Sequence, residues 1–447
     1  MENNRHIFDG DAPAKNHTAI IHVIGQFSEE TYLTYDIASS RLYWPSGELV
    51  SLQRVGLDYQ IPNQPWEHTR QFNVNPMNPA NKKGPFRLIK IQLGLQCNFE
   101  CTYCSQTEER NSSSRTIKIA KSDDISNFIS SLEPLLNYDE DIRFELWGGE
   151  PFIYWSIFQP LAEQLLYLYP NARIGTVTNG SLLNKEIVDW VVSHDRIDIT
   201  ISHDGTSKHR DFDVLENSYI HTLFHRLLDA NRTMAFNCVL TKENLSVYSI
   251  RNYLASSLNT STKNIFLMTE GLAIPSANFE ESISLSDLSI IYKELISSKS
   301  LFIFRQELID FFTLLSQNMP SFCISQKCGL DRQDSIVINL RTQNVVTCQN
   351  TLPIGKHSLG HINQLQEIKL NTVWHWRSRA NCSQCPVLPF CAGGCLYLEK
   401  DNFSHLCQSQ FFYRLPFLCA SIFFITGHTP VKIDSWMGII DLSPMTT

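Results

Sequence analysis

Six short apolar segments, separated by amphipathic stretches, constrain the fold more than any other feature of this sequence. The segments read FRLIKIQLG, IRFELWGG, ARIGTVTNG, RIDITISHDG, MAFNCVLT and NIFLMTE, with stretches such as NKEIVDWVVS and YIHTLFHRLLDAN between them. Strands that alternate with helices form a parallel sheet. Six such units predict an α/β fold, an open and partial (β/α)6 barrel that is TIM-like.

Polar and glycine-containing motifs stand at the ends of the first four predicted strands. CNFECTYC follows the first strand, GGEP the second, TNG the third and SHDG the fourth. The loops at the carboxyl ends of barrel strands are where such folds place their active sites. These four motifs are therefore the candidate site.

The pattern also predicts how the chain divides. After about residue 300 the alternation of strand and helix fades, and eight cysteines lie between Cys323 and Cys407. We expect an N-terminal extension as a candidate for docking a peptide, the partial barrel, a cysteine-rich domain and a C-terminal tail. Their ranges are 1–85, 86–300, 301–415 and 416–447.

Composition excludes several classes of protein. A net charge of -8 and the lack of a long Lys or Arg run predict no nucleic-acid partner. The start MENNRHIFDG lacks the pattern of a secretory signal, which predicts a cytoplasmic protein. The late apolar run LPFLCASIFFITG is too short for a bilayer and predicts a buried helix. Thirteen cysteines in a reducing compartment indicate metal binding rather than disulfides, and no membrane partner is expected.

Three of these cysteines form a CxxxCxxC array immediately after the first strand. Cys97, Cys101 and Cys104 lie within eight residues. Three thiolates at this spacing hold one face of a metal cluster and leave a fourth position without a protein ligand. A partly filled zinc site, or buried thiols, is the alternative interpretation.

The array resembles the signature of the radical S-adenosylmethionine (radical SAM) enzymes. In that family three Cys hold a four-iron four-sulfur cluster, and S-adenosylmethionine chelates the vacant iron. The resemblance implies that Tyr103 packs near the adenine and that Ser202 contacts the ribose. It also implies that the GGEP segment holds the methionine amino group, through Gly148, Gly149, Glu150 and Pro151.

The later cysteines resemble the SPASM extension of peptide-modifying radical SAM enzymes, which carries two auxiliary four-iron four-sulfur clusters. This resemblance assigns one ligand set to Cys323, Cys328, Cys348 and Cys395, and the other to Cys382, Cys385, Cys391 and Cys407. A pair of structural zinc sites is the alternative, because CxxC pairs serve zinc equally well. Cys238 and Cys419 stand among apolar residues and are expected to be packed thiols.

Two positions depart from the SPASM pattern. A glycine usually stands five residues before the cysteine at the position of Cys348, and here that residue is Gln343, so the turn is expected to form differently. In sulfatase-maturing relatives an Asp proposed as the base follows that cysteine. Gln349 stands there instead and cannot take a proton at neutral pH, which argues against sulfatase maturation.

The resemblance implies a radical SAM oxidoreductase that uses S-adenosylmethionine and three clusters to tailor a ribosomally made precursor peptide. General likeness to darobactin-type cyclophane synthases favours an oxidative crosslink between side chains. An external electron donor of the flavodoxin or ferredoxin type is the expected second partner. The alternatives are an anaerobic sulfatase maturase and a non-enzymatic iron–sulfur or zinc protein that binds peptides; no catalytic side chain is identified.

Overall fold

The structure is a computed structural model. It describes residues 18–51, 82, 84–104, 106, 121–138, 140–206, 208–270, 285–297, 305–316, 326, 328–368, 376, 379, 381–395 and 400–447. Of the predicted site residues, Cys323 lies outside the described residues.

The strands in the described part of the chain are β1 (Thr18–Ile24), β2 (Glu30–Asp36), β3 (Arg41–Tyr43), β4 (Leu88–Gln92), β5 (Arg143–Trp147), β6 (Arg173–Thr178), β7 (Ile197–Ser202), β8 (Ala235–Val239), β9 (Phe266–Glu270), β10 (Ser335–Asn339), β11 (Asn344–Val346), β12 (Ser358–His361), β13 (Thr429–Ser435) and β14 (Gly438–Asp441). The helices are α1 (Ser122–Leu132), α2 (Trp155–Leu168), α3 (Lys185–Ser193), α4 (Ser218–Asp229), α5 (Val247–Ser257), α6 (Ser289–Ile296), α7 (Arg305–Ser316), α8 (Leu388–Cys391), α9 (Lys400–Thr426) and α10 (Ser443–Thr446).

One compact unit, here called the barrel unit, comprises residues 80–282 and 329–373. Its nine-stranded sheet has the order β12-β11-β10-β4-β5-β6-β7-β8-β9. The neighbours from β10 through β9 pair in parallel, whereas β11 pairs antiparallel with β10 and β12. The six predicted strands and their parallel arrangement are therefore confirmed as β4 to β9.

Local sequence explains why the elements form. β4 buries four of its five residues, as a parallel strand covered on both faces should. Helix α3 begins where the Asn184 side chain accepts a hydrogen bond from the Ile187 amide. The same helix buries Ile187, Val188, Trp190 and Val191 at helical spacing, which seats it on the sheet.

Strand β10 was not predicted. It comes from the segment SIVIN, all five residues of which are buried, and it pairs in parallel with β4 from Ser335 opposite Leu88 to Asn339 opposite Gln92. The segment is short and surrounded by cysteines, so its periodicity alone did not distinguish it from a loop. It extends the sheet beyond the strand that leads to the three-cysteine array.

The other unit, here called the composite unit, comprises residues 1–79, 283–328 and 374–447. Its five-stranded antiparallel sheet has the order β14-β13-β1-β2-β3, and Ile21 faces both Leu33 and Ile433. An aromatic row continues the core: ring centroids lie 6.4 Å apart for Tyr35 and Phe311, 4.5 Å for Phe311 and Phe390, and 5.9 Å for Phe390 and Phe417. Residues from both ends of the chain thus share one core.

This grouping differs from the four consecutive segments expected from the sequence. The N-terminal strands pair with β13, which belongs to the segment expected as a C-terminal tail. Helix α9 also crosses the expected boundary at residue 415. Pairing between distant strands depends on tertiary packing, which local sequence patterns do not report.

The late apolar run lies in α9. Among the described residues, the segment Leu406–Thr426 is long and apolar enough to cross a bilayer by length and composition, and 72% of an 18-residue apolar window in it is buried inside the protein. Phe417, Leu418 and Cys419 are at most 1% exposed. The prediction of a buried helix is confirmed, whereas the expectation that the apolar run is too short for a bilayer is wrong, because the helix extends the run back to Leu406.

Candidate active site

The three-cysteine array lies in the loop that follows β4, at the carboxyl end of the parallel strands. Cys97, Cys101 and Cys104 are all partly exposed. A loop at this end of the sheet can present thiols to a bound group without unfolding.

The GGEP segment after β5 packs directly on the backbone that enters this loop. The Gly149 amide donates to the Gly94 carbonyl at 3.1 Å, and the Glu150 amide donates to the Gln96 carbonyl at 2.8 Å. A Cβ at residue 149 would lie 2.4 Å from the Gln96 carbonyl oxygen. Only glycine allows this approach, which joins the GGEP segment to the cysteine loop.

Glu150 is fully buried, and its carboxylate accepts hydrogen bonds from two backbone amides and one hydroxyl of the protein. Oε1 accepts from the Phe152 amide at 3.0 Å and from Thr178 Oγ1 at 2.7 Å, and Oε2 accepts from the Asn179 amide at 2.7 Å. Burial raises the pKa of Glu150, and these hydrogen bonds oppose that rise. The carboxylate therefore ties the end of β5 to the end of β6.

Polar donors surround the sulfur of Cys97. The Phe99 amide lies 3.4 Å from Cys97 Sγ, and Asn179 Nδ2 lies 4.0 Å from it. Asn179 Nδ2 also donates to Asn98 Oδ1 at 2.9 Å. N–H groups near a sulfur can donate hydrogen bonds to it, as they do to the cysteine ligands of metal clusters.

Tyr103 is 8% exposed, and its hydroxyl binds residues of the loop after β7. The Tyr103 hydroxyl donates to Asp204 Oδ2, and Arg210 Nη1 donates to the Tyr103 hydroxyl at 2.9 Å. Burial raises the pKa of the Cys101 thiol to about 11, and the neighbouring Arg210 cation opposes the rise. A positive charge with little exposure to solvent therefore stands beside the cysteine array.

The same loop holds Ser202 and is fixed by a histidine–carboxylate pair. Ser202 ends β7 and is partly exposed. His203 Nε2 lies 2.9 Å from Asp213 Oδ1, and the Tyr253 hydroxyl donates to Asp213 Oδ2. These contacts hold the SHDG motif in place, and the predicted contact of Ser202 with a ribose stays a prediction.

The loop after β11 carries Cys348 and is attached to β4. Gln92 Nε2 donates to the carbonyls of Gln349 and Thr351, each at 2.8 Å. Gln106, next to the cysteine array in sequence, donates from Nε2 to Asn350 Oδ1 at 2.8 Å. Two amide side chains thus fix the Cys348 loop relative to the strand and loop of the array.

The turn between β10 and β11 corrects one expectation. We expected it to form differently because Gln343 stands where glycine is usual. Gln343 nevertheless has a φ of 55°, in the left-handed region that glycine favours. Its amide donates to the Asn339 carbonyl at 2.9 Å and its Oε1 accepts from Ser131 Oγ at 2.8 Å, and these bonds support the strained backbone.

In the composite unit, the four cysteines of one predicted ligand set line the same cavity. They are Cys382, Cys385, Cys391 and Cys407. Burial and the neighbouring thiol of Cys391 raise the pKa of Cys407 to about 12, and the same two causes raise the pKa of Cys385 well above its ordinary value. Four thiols cannot all lose their protons here without a compensating positive charge.

The turn between Cys391 and Cys395, which belong to different predicted ligand sets, is tightly wound. Ala392, Gly393 and Gly394 have consecutive positive φ values of 49°, 81° and 66°. A Cβ on Gly393 would lie 2.3 Å from Cβ of Trp376. The AGG sequence therefore permits the chain to reverse between Cys391 and Cys395.

The other predicted ligand set is divided. Cys328 and Cys395 belong to the composite unit, Cys348 belongs to the barrel unit, and Cys323 lies outside the described residues. Its assignment as a cluster site stays a prediction. Cys238 and Cys419 are at most 1% exposed, in agreement with packed thiols.

The four cysteines of the composite unit have the donor chemistry of a four-iron cluster site. Within the described residues, no three or more His, Cys, Asp or Glu side chains come together to hold one metal ion. A four-iron cluster needs thiols that surround a volume, as the four cysteines of the composite unit do. No described residue hydrogen-bonds to the buried hydroxyl of Tyr35. Burial raises the pKa of that tyrosine, and the charges of Asp36 and Cys385 add to the rise.

Comparison with known proteins gives partial matches. No family model matches the sequence. An uncharacterized protein of Methanocaldococcus jannaschii, MJ0907, is 26% identical over 168 residues, which are 35% of this chain and 53% of that protein. The radical SAM cyclopropyl synthase TigE of Paramaledivibacter caminithermalis is 24% identical over 203 residues, 41% of each chain. The matches thus span about half or less of these curated relatives.

Among solved structures, native anSMEcpe with bound AdoMet and Cp18Cys peptide resembles this fold. The TM-score is 0.51 at 16% sequence identity, over 74% of this chain and 97% of that chain. The protein therefore has the α/β fold of the radical SAM type, a partial TIM-like barrel, as the sequence predicted.

Sequence reasoning identified the motifs but missed several residues that hold them together. Asn179 could have been found, because it belongs to the TNG motif at the end of β6. Arg210 had no local signal, because it acts on Cys101, which is distant in the chain. Glu150 was expected at the methionine amino group, and the structure adds its role as a buried cap.

Proposed function

We propose that the protein is a radical SAM peptide maturase that oxidatively crosslinks side chains in a ribosomally made precursor peptide, forming a cyclophane-type ring. The observation that carries the enzyme class is the packing of Gly149 and Glu150 on the backbone from Gly94 to Gln96. This packing unites the three-thiol loop and the GGEP segment at one end of a radical SAM-type barrel.

The proposed ligands are Cys97, Cys101 and Cys104 for one cluster, with S-adenosylmethionine at its vacant iron. When bound, this pair supplies a 5′-deoxyadenosyl radical that removes hydrogen from an unactivated carbon. The chain's own residues provide the thiolates and place N–H donors near Cys97 Sγ. The buried Tyr103 and Asp204, together with the partly exposed Arg210, close the site.

Two further observations support oxidation of a peptide. The four-thiol cavity of the composite unit offers a fully ligated cluster site, suited to accept an electron rather than bind substrate. TigE, to which part of the chain is similar, is named as a synthase of cyclopropyl rings, and anSMEcpe is described with a bound peptide. Closing a ring removes two hydrogens, one as an atom and one as a proton plus an electron.

We further propose that the protein acts in the cytoplasm with a flavodoxin- or ferredoxin-type electron donor, and that Cys323, Cys328, Cys348 and Cys395 hold the third cluster. Gln349 follows Cys348 without a titratable group, which favours ring formation over the formylglycine alternative.

Metal analysis tests the enzyme class first. Anaerobically purified protein should contain roughly 12 irons with matching acid-labile sulfide, and should release 5′-deoxyadenosine under reductant. Replacing Cys97, Cys101 or Cys104 by Ala should abolish the release, whereas Cys238→Ala serves as the matched control with an ordinary packed thiol. Zinc without sulfide would instead support the non-enzymatic alternative.

The reaction is tested by co-expression with the precursor frame next to the gene, followed by mass spectrometry. Each ring should lower the peptide mass by about 2 Da, with fragmentation missing between the two joined side chains. Unchanged mass with deuterium uptake from heavy water would show an epimerase. An aldehyde at Ser or Cys would show a maturase of the sulfatase type.

A further inference from the structure

Arg379 stands beside the four-thiol cavity of the composite unit. The residue is 8% exposed, and its Nη2 donates to the Cys395 carbonyl at 2.9 Å. Its Cζ lies 3.3 Å from the ring centroid of Phe403, and Phe403 itself lines the cavity together with Cys407. The guanidinium is thus held between a backbone carbonyl and the aromatic wall of the cavity.

The guanidinium brings a positive charge to the cysteines, because an arginine side chain stays protonated at neutral pH. The charges of Cys382 and Cys395 act on it from close by. A cation and the negative groups beside it stabilise one another in a part of the protein with little water.

Such a cation has a specific effect on a four-iron cluster. Four thiolates already give the cluster a net negative charge, and accepting one electron makes it more negative. A buried positive charge at short range stabilises the reduced state more than the oxidised state. Stacking on Phe403 holds that charge at a fixed position.

We propose that Arg379 is a tuning residue that raises the reduction potential of the cluster held by Cys382, Cys385, Cys391 and Cys407. This proposal rests on the function proposed above. A crosslinked substrate radical becomes the closed-shell product by losing one electron and, to solvent, one proton. A four-iron cluster held by these cysteines would supply the acceptor for that electron. Arg379 would favour the transfer because it lies next to that acceptor.

The test measures potential rather than turnover. In full-length protein with Cys97, Cys101 and Cys104 replaced by Ala, reconstituted auxiliary clusters are titrated and followed by electron paramagnetic resonance. Arg379→Met should lower one midpoint potential so that reduction at a fixed potential becomes about tenfold less favourable, about 59 mV for one electron. Arg379→Lys, which keeps the charge, should stay near the parent value.

Two further variants make the result decisive. Arg379→Gln can still donate to the Cys395 carbonyl without charge, and it should shift the potential as Arg379→Met does. Lys432→Met removes an exposed cation on β13 of the same unit and should have no effect, because water screens it.

Three outcomes would overturn the proposal. Neutral variants that keep full iron and the parent potentials would show that the charge is irrelevant to reduction. Loss of iron from both neutral variants would show that Arg379 holds the cluster instead of tuning it. Zinc without acid-labile sulfide in the parent protein would overturn the proposed function as well, whereas unchanged potentials in iron-loaded protein overturn only the role of Arg379.

Discussion

At the scale of single residues, the GGEP segment lies very close to the backbone that enters the three-cysteine loop. Glu150 and Gln96 are joined by a backbone hydrogen bond, and the absence of a side chain at Gly149 lets them approach. The neighbouring glycine is less restricted. A Cβ on Gly148 would lie 3.2 Å from the Tyr154 ring and 3.3 Å from the Gly94 carbonyl oxygen, contacts that shifts of a few tenths of an ångström relieve.

We therefore predict that Gly149→Ala is more harmful than Gly148→Ala. The added methyl group at residue 149 meets the backbone of Gln96, which cannot move aside, and should cost roughly 1–3 kcal/mol of stability. Release of 5′-deoxyadenosine should fall strongly in Gly149→Ala and remain measurable in Gly148→Ala. Equal activity and equal urea unfolding midpoints in the two variants would show that the close approach of Gly149 to the Gln96 backbone is not required for function or stability.

At the scale of secondary structure, β13 completes the core of a sheet that begins with β1. Ile21 and Ile433 face each other across the two strands, and both are fully buried. Ile439 on the next strand, β14, is 68% exposed. Ile433 on β13 and Ile439 on β14 are thus a buried and an exposed side chain on two antiparallel neighbouring strands.

Truncation of these two side chains should separate their contributions. Ile433→Ala leaves a cavity between the strands and should lower the free energy of unfolding by about 2–5 kcal/mol. Ile439→Ala should change it by less than about 0.5 kcal/mol. Urea denaturation followed by tryptophan fluorescence provides the comparison, and similar losses in both variants would contradict the buried pairing of β1 with β13.

The same elements show where sequence reasoning succeeds and where it stops. Strands β4 to β9 were predictable because each is a local apolar run that ends in a glycine or polar motif. Strand β10 is equally apolar, yet its place beside β4 depends on pairing across 247 residues, as between Gln92 and Asn339. The three-cysteine array was found from spacing alone, whereas the position of Arg379 against Phe403 depends on how α9 packs.

At the scale of the whole molecule, the two groups of cysteines with different proposed roles lie in different units. The array that would generate the radical lies in the barrel unit, and the four-thiol cavity lies in the composite unit. Loss of the four-thiol site in the composite unit should therefore leave cleavage of S-adenosylmethionine largely intact.

We predict that Cys391→Ala retains most of the 5′-deoxyadenosine release but makes no crosslinked peptide, because the electron acceptor is lost. Circular dichroism must accompany the assay, since metal sites often supply folding energy. Cys419→Ala, which changes a buried thiol in α9 of the same unit, is the control and should make product. A folded Cys391→Ala variant with full product would exclude an essential role for that cluster.

The pairing of β1 with β13 also has a consequence for biosynthesis. Ile433 leaves the ribosome 412 residues after its partner Ile21, a delay of roughly 20–80 s at ordinary rates of translation. During that time one side of β1 has no partner strand and presents the kind of open edge that aggregates readily. We expect a nascent chain that stalls before residue 429 to recruit chaperones or be degraded, and slow translation to limit the yield of folded protein.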